Sequence, residues 1–298
     1  MAQHLTDLGS QYRLDDDFKR RARLHQSRFR VTTLGLPACR GYGNRLSAAD
    51  AIAGKNFYRW PGMLAAVERR FGLSDTKLTF DMLRSEHIPF NFFVPLKEHP
   101  AMIALAREWC GVQVAEIISV EIEWAPAPKA RFLDDNTSFD AYVEYRAADG
   151  VRGAIGIEVK FTERAYPWGK TERRRMFDDQ SRYLAVHRAS GVYGAGGLDL
   201  LRTPRFKQLW RNQLLGEAML QCPELGLGHF TSVLLHPKDN AHFVEATREY
   251  ERLLAPARTS AVFRGVTFES FIERCREHVR TPEERGWSDY LAARYLVD

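Results

Sequence analysis

Apolar and polar positions divide the chain into a helical first third, a strand-rich middle and a largely helical end. SAADAIAG fits a short helix with Ser47 as its cap. Residues 61–72 have helical spacing, with Pro61 in the first turn and Gly72 as the stop. LTFDMLRSEH, residues 78–87, reads as a helix ended before Pro89, and residues 99–109 read as another. Residues 35–45, GLPACRGYGNR, read as a loop rich in Gly and Pro.

The period then changes. VQVAEIISVEIEW (112–124) is rich in β-branched residues, and Val120, Ile122 and Trp124 alternate with Glu121 and Glu123. SFDAYVEYRA (138–147) predicts a second strand, Asp149-Gly150 a hairpin turn, and GAIGIEVKFTE a third strand. A polar stretch follows, RAYPWGKTERRRMFDDQ, expected to be a loop. Residues 204–221 read as a helix between Pro204 and Pro223, and HFTSVLLHP (229–237) as a fourth strand. Helices are expected near 239–254, 267–280 and 283–295. The resulting order is helix, three strands, helix, strand. The expected division is an N-terminal helical and basic extension (1–75), a core (76–240) and a C-terminal helical part (241–298).

Composition narrows the class. The 298 residues are 45% hydrophobic and 27% charged, as in a folded protein. A net charge of +5 allows a polyanionic partner without requiring one. Cys39, Cys110, Cys222 and Cys275 lie far apart with no CxxC, which argues against a zinc knuckle, an iron–sulfur cluster or a disulfide scaffold. MAQHLTDLGSQYRLDDD lacks the apolar segment of a secretory leader, and no apolar run approaches a membrane span. These features predict a reduced, cytoplasmic protein with no membrane partner. GVYGAGG (191–197) does not match GxGxxG, and no HExxH or GxSxG is present.

The third strand contains two awkward charges, Glu158 and Lys160. Residues two apart on a strand share a face. Direct contact between them is expected to be poor, so a shared third partner fits better. Asp140 lies on the preceding strand, joined by the hairpin, and the register brings it near Glu158. Two close carboxylates repel unless a cation sits between them. Hard oxygen ligands with room for water and phosphate oxygens describe a magnesium site. A lysine beside it can orient a water. These are the parts of metal-assisted phosphodiester hydrolysis.

TSFDAYVEYRAADGVRGAIGIEVKFTE resembles motifs II and III of the PD-(D/E)xK nuclease superfamily. With SEHIPFNFFVPL before it and a QLxRN helix after it, the chain resembles a bacterial restriction-endonuclease-like group of that superfamily over about residues 45–275. The resemblance implies an α/β fold with a restriction-endonuclease-like αβββαβ core, a mixed central sheet and extra N- and C-terminal helices. It implies that Asp140, Glu158 and the backbone carbonyl of Val159 bind Mg²⁺, with Mn²⁺ as a substitute, and that Lys160 serves the water. Glu86 falls where some relatives place an additional acid. Phe139 stands where the name motif has Pro, as in many members. The implied activity is a DNA endonuclease linked to restriction or defence. The alternative is a catalytically inactive nucleic-acid-binding module of the same fold.

Around that centre several residues have two readings each. Gln213 and Glu217 interrupt the apolar stripe of the 204–221 helix. They either end its buried face or place Gln213 near the site. Glu163 reads as a structural residue or a member of the metal shell. Lys170, Arg173, Arg174 and Arg175, in a basic stretch with three aromatics, read as DNA contacts or as a solvated loop, and Arg211 as a phosphate contact or a surface arginine. DDDFKRRARLHQSRFR (15–30) reads as a solvated helix face or a phosphate-contacting arm. Specificity is expected from these basic segments, or from a partner protein or a homodimer.

Overall fold

The computed structural model describes residues 7–164, 167–256 and 262–297. Its centre is a five-stranded sheet in the order β1-β2-β3-β4-β5, with β1 (Val114–Trp124), β2 (Phe139–Ala147), β3 (Arg152–Val159), β4 (Leu227–His236) and β5 (Phe263–Thr267). The first three strands pair antiparallel, and the last two add in parallel. The sheet is therefore mixed, with the tight Asp149-Gly150 turn joining β2 to β3. Four strands were expected. The fifth is only five residues long and runs straight into a helix, so its apolar positions merge with the helical pattern that follows.

Helices cover both faces. Along β2 and β3 the odd-numbered positions Ala141, Val143, Tyr145, Ile155, Ile157 and Val159 meet one layer. That layer contains α5 (Ile88–Phe93), α6 (Ala101–Cys110), α12 (Phe268–Arg276) and α13 (Pro282–Tyr295). α1 (Asp17–Thr32) joins it through Phe18 and Ala22. Tyr142 and Ala154 face the opposite layer, built on α8 (Arg182–Ser190), α10 (Lys207–Leu220) and α11 (Ala241–Leu253). Both faces of β3 are thus buried, and the even-numbered charges of this region point toward α10.

Three local expectations change. Residues 78–87 are not one helix. The helix there stops at Phe80, because Asp81 Oδ1 accepts the Leu83 N–H (3.1 Å) and an Asn44 Nδ2 proton (2.6 Å), which turns the chain. Pro89 then stands in the first turn of α5, starting a helix rather than ending one. The basic stretch is helical from Lys170 to Phe177 (α7); its Tyr166 lies outside the described residues. The segment 15–30 forms α1, capped by Asp16, but it is not a solvated face: Arg23 and Arg30 are buried. Arg30 donates to the carbonyls of Gly43 and Asp7, each at 2.7 Å. Among the described residues no helix is long and apolar enough to cross a membrane.

Gly216 sets how closely α10 approaches the sheet. A Cβ there would overlap the Phe230 ring on β4. Gly216→Ala is expected to destabilise the protein by roughly 1–3 kcal/mol through overpacking. It should also lower activity beyond the loss of folded protein, because α10 carries site residues. Urea denaturation and specific activity of the folded fraction check this.

Candidate active site

Register brings three carboxylates abreast. Ile122 of β1 pairs with Ala141 of β2, and Ala141 pairs with Ile157 of β3. One step along, Glu123, Asp140 and Glu158 form a row across three neighbouring strands, with Leu234 beside Glu158 on β4. Asp140 Oδ2 accepts the Val159 N–H at 2.6 Å. That ties the second strand's acid to the residue whose carbonyl the family resemblance nominates as a metal ligand.

Glu158 and Lys160 are 5% and 7% exposed. Lys160 Nζ contacts Glu158 Oε1 at 2.6 Å, so the direct contact expected to be poor is made. Regular strand structure ends at Val159, and the long lysine stem reaches back along it. Burial alone would pull the Lys160 pKa down. The Glu158 and Asp140 carboxylates outweigh it and hold the ammonium above its ordinary value. α10 adds two donors to Glu158: Gln208 Nε2 to Oε1 (3.1 Å) and Asn212 Nδ2 to Oε2 (2.6 Å), which leaves Oε2 an acceptor site for a further ligand.

These partners differ from the expected one. Gln213 donates instead to Glu217 Oε1 at 2.9 Å, deep in the α10 layer. Positions 208 and 212 are four apart and share the face that meets the site, while 213 is rotated away by about 100°. Glu163 accepts the Ser85 N–H at 2.6 Å and those of Phe161 and Thr162. Glu86 lies in the turn before α5 and accepts from Arg84 Nε at 2.9 Å. Arg211 is half-buried and its guanidinium is engaged within the protein. It pairs with Asp135 (3.1 Å) and Glu172 (2.6 Å) and donates to Thr137. Glu172 also takes Lys207 Nζ at 2.8 Å, so it pins α7 to α10. Lys170, Arg173 and Arg174 on α7 are exposed, and Arg175 is half-buried.

Glu123 was hidden in the polar face of an alternating strand. It has a φ of 53°, a left-handed conformation that costs a non-glycine residue roughly 1 kcal/mol or more. Burial pushes its carboxyl up to about 7, and the Glu158 and Glu86 carboxylates add to the rise against Arg70. Asp140 is also held well above the usual range, by burial first and then by Glu158 and Glu123. Raised carboxyl pKa values mean that the folded state binds more protons than the unfolded one, so stability falls as pH rises. For Glu123 the fall runs from its ordinary 4.5 to about 7. It is expected to be on the order of 2 kcal/mol in metal-free protein. Glu123→Gln should flatten that fall. Urea denaturation in EDTA at pH 5 and pH 8 measures both slopes, and equal slopes for the two proteins would remove Glu123 from the electrostatics of the site.

The donor chemistry fits a hard divalent cation. A half-buried Asp140 stands between two acids that raise its pKa, with Lys160 as the counter-charge to Glu158. Among the described residues no three His, Cys, Asp or Glu side chains are poised together as a metal cage. Two carboxylates completed by backbone, water and phosphate oxygens suit magnesium-type coordination better than an all-protein cage.

The mixed sheet flanked by helices, with this acid and lysine array on β2 and β3, defines an α/β protein of restriction-endonuclease-like architecture. A family model of the PD-(D/E)XK nuclease superfamily matches residues 13–297, and the chain belongs to that superfamily. Nuclease activity is the class this membership supports, and its members typically use divalent metals. No curated protein and no solved structure matches the chain.

Proposed function

We propose that the protein is a Mg²⁺-dependent DNA endonuclease, serving restriction or defence, with Asp140, Glu158 and Lys160 as its catalytic residues. The row Glu123, Asp140 and Glu158, with Lys160 Nζ on Glu158, carries this reading. Asp140, Glu158 and the Val159 carbonyl would hold the cation. When bound, it neutralises charge on the phosphate and on the leaving oxygen. Lys160 remains protonated, so it positions water and offsets phosphate charge rather than acting as the base. Gln208 and Asn212 keep the Glu158 carboxylate aimed while its lysine partner engages the substrate. Lys170, Arg173 and Arg174 on α7 offer exposed charge to the DNA backbone, and Glu172 ties that helix to α10.

A supercoiled plasmid tests this. Nicked or linear product is expected in Mg²⁺ or Mn²⁺, none in EDTA, and product formed on the order of 10²–10³-fold more slowly with Lys160→Ala. Cleavage undiminished in Lys160→Ala would remove the proposed site. DNA binding by a wild type that cleaves nothing in either metal would favour the inactive binding module.

A further inference from the structure

A separate cavity of about 340 Å³ opens between α1, the loop at Tyr42 and the segment after β3 at Thr162 and Glu163. Its volume falls within the range of small-ligand pockets, about 300–1,000 Å³. We propose that it binds one nucleotide unit, an aromatic base with its phosphate.

The walls supply both parts. Tyr12 and Tyr42 meet at 86° with ring centroids 6.0 Å apart, forming a corner. Tyr42 is covered by guanidinium groups, Arg45 at 4.6 Å and Arg23 at 5.2 Å from its centroid. Tyr12 is 42% exposed and keeps a ring surface for stacking.

The charge available to a ligand is positive, although acids line the cavity. Asp15 uses both oxygens on Arg23, at 2.6 and 3.1 Å. Asp81 is engaged by Asn44 and Leu83, and Glu163 by three backbone N–H groups. Lys19 and Arg45 form no ion pair among the described residues, and the buried Nε of Arg45 has no hydrogen-bond partner there. A phosphate satisfies both cations.

Thr162 and Glu163 lie two and three residues past Lys160. A DNA strand held at Lys160 can therefore place a neighbouring nucleotide, turned out of the stack, in this pocket. That source of the nucleotide rests on the nuclease reading; the binding itself does not. A free nucleotide has the same chemistry and is the other source.

Metal-free protein separates the two without cleavage. The four deoxynucleoside 5′-monophosphates are titrated by calorimetry. Duplex DNA carrying 2-aminopurine is titrated by fluorescence. At least one arm should give a saturable signal, weakened at least 10-fold by Tyr12→Ala and by Lys19→Glu. Tyr12 is exposed and Lys19 half-buried, and thermal melting checks that each variant folds. A fluorescence rise lost in both variants assigns the occupant to DNA; monophosphate binding alone assigns it to a free nucleotide. No signal in either arm, or signals unchanged by both substitutions, overturns the pocket. Loss of the nuclease reading would appear separately, as absent metal-dependent cleavage with nucleotide binding intact.

Discussion

Asp140→Asn is expected to abolish divalent-cation binding, to lower DNA cleavage on the order of 10²–10³-fold or more, and to make the metal-free protein more stable. The two effects have one cause. Asp140 is desolvated and stands between Glu123 and Glu158, which hold its pKa well above the usual range. Its charge is therefore a cost in the absence of a cation. Asparagine has the same shape, and its amide oxygen still accepts the Val159 N–H, so the 2.6 Å tie to β3 survives. The gain should be largest at pH 8, where the wild-type carboxylate is most fully charged. It should shrink at low pH, where the native carboxyl is already neutral. Thermal melts in EDTA at pH 5 and pH 8, beside a cleavage assay, test both halves. A variant less stable than wild type at pH 8 would show that Asp140 is chiefly a structural acceptor.

Lys160→Ala has the opposite signature. Lys160 and Glu158 form a buried contact at 2.6 Å, and removing one partner of such a pair costs roughly 3–5 kcal/mol. Gln208 and Asn212 still donate to Glu158, which places the loss at the lower end of that range. Cleavage should fall on the order of 10²–10³-fold, through loss of water positioning and phosphate charge. Because the variant leaves Glu158 without its counter-charge, Mg²⁺ should stabilise it more than it stabilises the wild type, without restoring cleavage. Stability recovered together with cleavage would reduce Lys160 to a structural counter-ion.

The meeting of Asp140, Glu158 and Lys160 was legible because it rests on short-range rules. Alternation placed Glu158 and Lys160 on one face, and the Asp149-Gly150 turn fixed the register that carries Asp140 to Glu158. What was not legible depends on long-range geometry. Glu123 looked like one of several solvated acids of an alternating strand, and only its left-handed backbone and the β1–β2 register set it apart. The 204–221 helix was evident, but its rotation was not. Gln208 and Asn212 therefore face Glu158 where Gln213 was a candidate. Arg211 looked like a surface cation because its partners, Asp135 and Glu172, are far away in sequence. The fifth strand escaped because five residues leading into a helix carry little period of their own.

Calorimetric titration of Mn²⁺ into metal-free protein tests most directly whether Asp140 and Glu158 gather a cation. A saturable heat is expected in the wild type and none in Asp140→Asn. An undiminished heat in that variant would place the cation elsewhere and contradict the site described above.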